Sequence, residues 1–510
     1  MKLDASSLPD DQEQLKKMLL ELQQVVVEKD HELAKKDIAY QELLERYNAK
    51  LANEYGKKSE KMPGAGEVFN EAELVLDKYD KSILAEVTLD TKAKPKRKPL
   101  PAALPREEVV IDITDADKVC DCCQSPLHKM GESSSEALEF VPAHIKVIKT
   151  IRSKYACRQC ERNGIEGVVK TAPMPATPIP KSIATPSLLS QIIACKYQFG
   201  LPLNRQETLF TDIGIELSRQ TMSSWMLRSA QLLEPLYRRL KEVLLTEPVI
   251  HADETPLKVI KAERATSYMW VYCSGSDKPG NNTNIVLFDY HNSRAAQCAI
   301  NFLDGYQGYM HVDGYKAYEL TAAKLVACLA HIRRKFVDAK KIQAKKKTGK
   351  ADVVLSLIGK LYGIEQVIKD KPAKEKFNIR QSHSKPIVKE LHGWLTDHKD
   401  KIPPKSKLGE AISYGLNQFE KFQRYLEDGR LSIDNNRAER AIKPFVIGRK
   451  AWLFSHTCHG AHASAILYSI VETAKANGLV VHDYISTCLQ HIAEQPNNLE
   501  PLLPWNIKRG

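Results

Sequence analysis

Hydrophobic and polar positions follow several distinct rhythms along the chain, and each change of rhythm marks a boundary. Residues 12–55 contain no proline and no glycine before Gly56. A heptad reading puts Leu15, Leu19, Leu22, Val26, Lys29, Leu33, Lys36, Tyr40, Leu43, Tyr47 and Lys50 on one seam, most of them apolar. That pattern predicts a coiled coil over 12–56, either two-stranded or a helical hairpin, with three lysines weakening the seam. A single amphipathic helix packed on the rest of the chain is the alternative. From 57 to 118 the period is lost, and KAKPKRKPLPAALPRE reads as a flexible basic linker. Over 119–172 polar and apolar residues alternate (FVPAHIKVIKTIRSKYAC), as they do in strands.

After a proline-rich joint at 173–182, residues 183–246 read as helices broken near Gly200 and Gly214. The stretch LSRQTMSSWMLRSAQLL resembles the second helix of a helix-turn-helix, with Ser218, Arg219, Gln220 and Ser223 towards a groove; ordinary helix packing would give the same pattern. After Pro248 short β runs take over. VIHADETPLKVI is expected to be a strand with Asp253 near its end, and SYMWVYCSG and TNIVLFDYH complete a meander. SRAAQCAINFL is a helix, YMHVDGYKAYE a strand ending in Asp313, and LVACLAH a short strand running into the helix IRRKFVDAKK. Three antiparallel strands, a helix and a returning strand give the order of a ribonuclease-H-like fold. There the first and returning strands are neighbours, so their two aspartates would share one sheet edge.

Residues 338–430 read as a helical insertion between the two parts of this core, 247–337 and 431–510, the latter ending in C-terminal helices. In LSIDNNRAERAIKPFVIGRK, Asp434 looks like a helix N-cap, with Arg437, Glu439 and Arg440 in the first turns. Asn435 and Glu439, four residues apart, would share a helix face. The fold class is therefore multidomain α+β: an N-terminal coiled coil, a small β zinc-binding domain, a helical DNA-binding segment and a ribonuclease-H-like α/β catalytic core with a helical insertion.

Composition narrows the function classes. The chain has 510 residues, 43% of them hydrophobic, enough for several cores. No apolar run reaches the roughly 18 residues of a membrane span. The amino terminus lacks the apolar stretch of a signal peptide, so a soluble cytoplasmic protein, nucleoid-associated when on DNA, is expected. The net charge of +12 is modest, but it includes one lysine- and arginine-rich run at 92–98 and another at 340–350. Such runs are either solvated arms or phosphate contacts. Five of the eleven cysteines fall between 120 and 160. Cys120-x-x-Cys123 and Cys157-x-x-Cys160 are two knuckles able to place four thiolates tetrahedrally around one structural Zn2+. Four unliganded thiols are the alternative, and Cys122 competes with Cys120.

Asp253, Asp313 and Glu439 are the candidate catalytic acids. Breaking a phosphodiester needs an activated oxygen nucleophile, charge neutralisation at phosphorus and support for the leaving oxygen. Two Mg2+ (or Mn2+) ions about 4 Å apart meet all three needs, and hard carboxylate oxygens select such ions. Asp253 would bridge both ions, with Asp313 on one and Glu439 on the other.

From Leu15 onward the sequence resembles the insertion-sequence-66 family of bacterial transposases. The matching pieces are EYGKKSEKM, the CxxC pairs, YACRQC, HADETPLKV, HVDGYKAYE, CLAHIRRKF, DNNRAERAIKPFVIGRKAWLF and YSIVETAKANGL, in the family's order. The resemblance carries the family's three catalytic acids onto Asp253, Asp313 and Glu439. It implies a DDE-type transposase that cleaves element ends and joins a 3′-hydroxyl to target DNA, with homo-oligomers and small accessory proteins as partners and no membrane. Cys328, His331, Arg333, Arg334 and Lys335 match a further family piece. Those basic residues and His331, with Arg219, Arg440, Arg449, Lys450 and Trp452, are DNA-binding candidates. For His331 and Trp452 core packing is the alternative, and for Leu453 and Phe454 it is the expectation. Lys443, Ala451 and Leu329 depart from the family's usual residues without removing an acid. His456, Cys458, His459 and His462 are expected to form a solvated loop rather than a metal site. Two other functions stay open: a metal-dependent structure-specific nuclease on the same fold, and a non-catalytic zinc-dependent DNA-binding regulator.

Overall fold

The computed structural model describes residues 11–55, 145–156, 169–276, 283–342 and 349–507. The linker and all four knuckle cysteines lie outside these residues. Two units are distinguished, 80–175 and the remainder. In the first, β1 (Lys154–Ala156) pairs antiparallel with β2 (Val169–Thr171). Cys157 is the next residue in sequence after β1.

In the larger unit, α1 is one 44-residue helix, Gln12–Tyr55. Its Leu19, Leu22, Val26, Leu33, Tyr40, Leu43 and Tyr47 are all exposed, but so are Leu20, Val25 and Val27, so exposure does not single out the expected seam. The helices α2 (Pro186–Ile193), α3 (Leu203–Asp212) and α4 (Arg219–Leu244) follow. Ser218 caps α4, its hydroxyl accepting the Thr221 N–H at 3.2 Å. Arg219, Gln220 and Ser223 on that helix are exposed, while Met222, Trp225 and Met226 are buried.

The sheet is built from β3 (Val249–Leu257), β4 (Ser267–Cys273), β5 (Val286–His291), β6 (Tyr309–Val312) and β7 (Lys324–Ala327). Its order is β5-β4-β3-β6-β7. The β3–β4 and β4–β5 pairs are antiparallel, and β6 and β7 run parallel to β3 and to each other. A helix, α5 (Ala296–Phe302), makes the crossover from β5 to β6. The first and returning strands are thus neighbours, as their order in the chain predicts. β4 is almost wholly buried, which its composition, SYMWVYC, requires of a central strand covered on both faces.

α6 (Leu329–Ile342), α7 (Lys350–Val367), α8 (Ala373–Ile379), α9 (Lys385–Lys399) and α10 (Lys407–Gln423) form the helical insertion, with a core of their own. α11 (Asn436–Trp452) and α12 (Cys458–Ala476) then return to the sheet, and α13 (Val481–Glu494) packs against α2, α4 and α12. α12 closes the free edge of β5 with side chains four residues apart. Ser469 accepts the Phe288 N–H at 2.7 Å, and Thr473 both accepts from and donates to Val286. Asn477 donates to the Asn284 carbonyl at 2.7 Å. An open strand edge is thereby satisfied without another strand.

Three local expectations need correcting. Asp253 is the fifth of nine residues in β3, not near its end, because β4 goes on pairing as far as Leu257 after β6 has stopped. Leu453 and Phe454 are 67% and 42% exposed rather than in the core. α11 stops at Trp452, and Leu453 takes φ 64°, which turns the chain outward before Ser455 bonds back to Lys258. Of the run from His456 to His462, Cys458 onward forms the start of α12, capped by Thr457, while His456 precedes the helix and its carbonyl accepts the Lys261 N–H.

Candidate active site

The parallel register of β3 and β6 sets the site. Val249, Ile250 and His251 lie opposite Tyr309, Met310 and His311. Two residues beyond the last of these pairs come Asp253, within β3, and Asp313, one residue past the end of β6, near enough for the Asp313 charge to act on Asp253. Beneath them the rings of His251 and His311 stack with centroids 4.5 Å apart and planes 12° apart. Sequence reasoning missed this histidine pair. The signal was there: both aspartates follow a histidine by two residues, as His251-Ala-Asp253 and His311-Val-Asp313.

The third acid arrives on α11, and the segment before it is tied down strand by strand. The Leu329 N–H donates to the Ile433 carbonyl, and the Ser432 N–H to His311 Nε2 at 3.2 Å. Asn435 donates its side-chain amide to the Ala252 carbonyl at 2.8 Å, and its Oδ1 lies 3.1 Å from His251 Nδ1. Its backbone N–H donates to Cys328 Sγ at 3.1 Å. Asn435, not Asp434, occupies the N-cap position, and its side chain is spent on β3. Asp434 instead accepts the Asn436 N–H at 3.2 Å, which starts the helix one residue later than expected. Glu439 then follows one turn into α11.

Asp253 and Glu439 line one cavity of about 200 Å³ with His331, Arg334, Ile442, Lys443 and Val446. Burial pushes the Asp253 carboxyl well above the usual range, and the charges of Glu254, Asp313 and Glu439 push it further. Burial likewise raises Glu439, against the pull of Arg334 and with the push of Asp434 and Asp313. The three predicted acids therefore share one electrostatic neighbourhood. Asp313 Oδ1 accepts the Tyr315 N–H at 2.8 Å, which fixes its rotamer. Glu254, on the opposite face of β3, is neutralised locally: Arg294 bonds it twice and the Tyr318 hydroxyl donates at 2.7 Å.

Glu439 Oε1 is buried and has no hydrogen-bond partner, and His331 Nε2 stands 3.9 Å away. Three acids converge beside Arg334 and Lys443, yet one carboxylate oxygen stays orphaned, which is the kind of donor set a divalent ion would satisfy.

The other candidates divide. Arg334 belongs to the cavity, whereas Arg333 and Lys335 lie on the same helix beside it, Lys335 over the Tyr414 ring. Arg440 is exposed near Asp434. Arg449 bonds Thr255 and the Pro256 carbonyl, and with Lys450 and Leu453 it lines a separate cavity of about 440 Å³ at the end of β3. The Trp452 ring packs edge-on against Phe445, with centroids 5.6 Å apart. Arg219 lies on α4, outside both cavities. Burial lowers the His331 pKa, and Arg334 adds to this while Asp313 opposes it.

Comparison with known families places this arrangement among the transposases. Residues 181–463 match the model described as "Transposase IS66 family", and residues 469–505 match the IS66 C-terminal element. Residues 117–161 match the zinc-finger binding domain of transposase IS66, and 42–109 the model "Transposase C of IS166 homeodomain". The chain belongs to the IS66 transposase family. It is 36% identical to "Uncharacterized protein y4jD" of Sinorhizobium fredii (strain NBRC 101917 / NGR234) over 80% of this chain and 81% of that protein. It is 32% identical to "Uncharacterized protein y4qI" of the same organism over 100% and 99%. No solved structure matches. Among the described residues, no helix is long and apolar enough to cross a membrane.

Proposed function

We propose that this chain is a DDE-type transposase that cuts DNA at the ends of its element and joins the freed 3′-hydroxyl to target DNA. The observation that carries the reading is the meeting of Asp253, Asp313 and Glu439 from β3, the end of β6 and α11, on a sheet whose order is that of ribonuclease-H-like nucleases. Asp253, Asp313 and Glu439 would hold two Mg2+ or Mn2+ ions, which supply nucleophile activation and charge neutralisation at phosphorus. The stacked histidines and Asn435 keep the two strands and α11 in register, so the carboxylates are set before DNA binds. Arg334 and Lys443, beside the acids, would take the phosphate backbone, and Arg333, Lys335 and Arg440 extend that charge.

The knuckles at Cys120, Cys123, Cys157 and Cys160 would bind one structural Zn2+, and α3–α4 would present Arg219 to DNA. The exposed apolar residues of α1 suit self-association or a small accessory protein. A protein acting on a bacterial element works in the cytoplasm.

The test is strand transfer of a labelled element end with Mg2+ by the full chain. Asp253→Ala is expected to lower the rate by about three orders of magnitude or more while leaving end binding intact. Unchanged joining by that variant would sink the assignment. Cutting without joining would move the protein to a structure-specific nuclease. Binding with neither reaction would make it a DNA-binding regulator.

A further inference from the structure

Cys328, His331 and Glu439 bring one sulfur, one nitrogen and one oxygen ligand within 4.8 Å of one another. Cys328 is the residue after β7, His331 lies in the first turn of α6, and Glu439 in the first turn of α11. We propose that these three side chains form a binding site for a zinc-class transition metal, separate in chemistry from the all-carboxylate site and sharing Glu439 with it. The inference rests on the proposed function only for the role of Glu439.

Three features converge. The first is the donor set: thiolate, imidazole and carboxylate together suit Zn2+ or Co2+ and not Mg2+, which prefers oxygen alone. The second is spacing. His331 Nε2 and Glu439 Oε1 lie 3.9 Å apart, too far for a hydrogen bond. Two ligands on one tetrahedral zinc ion stand about 3.4 Å apart, so a small rotation of either side chain closes the site. The third is lack of satisfaction. Glu439 Oε1 is buried and bonds to nothing, a costly state that a bound cation would relieve.

The surroundings add a supporting contact and a penalty. The Asn435 N–H that reaches Cys328 Sγ is the kind of outer contact that steadies a metal thiolate. Binding expels the Cys328 thiol proton to solvent. Arg334 and Lys335, whose charges already oppose protonation of His331, oppose a dication as well. The site should therefore be weaker than a four-cysteine knuckle and fill after it. Once filled, it engages a Glu439 oxygen, so zinc would compete with the ions of the carboxylate site for the third acid. The transposase would then rest in a zinc-held state released when the ion leaves.

Cobalt titration of the full chain, first saturated with one equivalent of zinc, reads the site directly. Wild type is expected to develop a thiolate-to-cobalt charge-transfer absorption. Cys328→Ser, which keeps an acceptor for the Asn435 N–H, should lose that band. Glu439→Gln, which keeps the shape, should keep a thiolate ligand but bind at least about ten-fold more weakly. Circular dichroism would verify that both variants are folded. A wild type with no band, or with a band indifferent to both changes, overturns the proposal. This measurement needs no DNA, so it can fail while strand transfer succeeds, and the reverse. Where strand transfer is seen, added Zn2+ should inhibit it in wild type at concentrations at least about ten-fold below those needed for Cys328→Ser. Equal sensitivity would overturn the zinc-held state.

Discussion

Two places in the molecule take charge out of water, and they do so in opposite ways. In the helical insertion, Arg380 is 2% exposed. It pairs with both oxygens of Glu365 at 2.8 and 2.7 Å and donates to the carbonyls of Tyr425 and Asp428. Donors and acceptors match, and the net charge is zero. At the sheet, Asp253 meets Asp313 and Glu439 as well as Glu254, of which only Glu254 is paired to an arginine, Arg294, and one Glu439 oxygen bonds to nothing. The first arrangement is complete as folded. The second, even with Arg334 and Lys443 beside it, leaves a buried carboxylate oxygen that a cation from outside would satisfy. Perturbed carboxylates alone do not mark a site, but uncompensated ones beside a cavity do.

The comparison breaks most sharply at Arg380. Arg380→Ala leaves Glu365 and two carbonyls without their partner, so urea denaturation should show a loss of about 3–5 kcal/mol. A smaller loss would mean that water reaches the pair. Next in size is Asn435→Ala, which strips a buried bond from the Ala252 carbonyl and one from His251. It should cost about 1–3 kcal/mol. Because α11 loses its tie to β3, the Mg2+ concentration for half-maximal strand transfer should also rise. An unaltered metal requirement would make Asn435 merely structural.

Asp253→Asn should have the opposite sign. It removes the central charge from a like-charged cluster, so without metal the variant should be more stable than wild type, on the order of 1 kcal/mol or ~2–4 °C in Tm. The same variant should lose the rise in Tm that Mn2+ gives wild type. A destabilised metal-free variant would mean that the Asp253 carboxylate is already compensated within the fold.

Sheet order was legible because each strand carries its own signal. SYMWVYC is apolar throughout and lies mid-meander, while three antiparallel strands followed by a helix and a returning strand make β3 and β6 neighbours. The site was legible in its acids but not in its scaffold. Asn435 reads as a helix partner of Glu439, yet its side chain leaves the helix to bond β3, a contact 183 residues apart in sequence. Leu453 misled for a local reason: its apolar neighbours suggest core, but a left-handed backbone turn at the end of α11 points it outward. Cys328 read as part of a family piece, and its closeness to Glu439 comes from β7 and α11 meeting at the cluster.

The smallest expected effect lies in pH dependence, and its sign is the informative part. Burial raises the folded-state pKa of Asp253, as of Glu254 and Glu439. Unfolded, an aspartate ionises near about 3.9, so above that pH the unfolded chain has released a proton that folded Asp253 still holds. Where the folded state binds more protons, stability falls as pH rises, and the fall ends once the folded pKa is passed. Surface carboxylates with lowered pKa, such as Asp352 and Glu319, push the other way. They are common to wild type and Asp253→Asn and cancel in the difference between the two. That difference in metal-free Tm should favour the variant more at about pH 8 than at about pH 5, by about 1–3 °C. Mn2+ binds the ionised cluster and competes with its protons, so its effect on wild type should grow over the same range and erase the difference. A difference independent of pH would show Asp253 already ionised at the lower pH, held by charge compensation that the three acids alone do not provide.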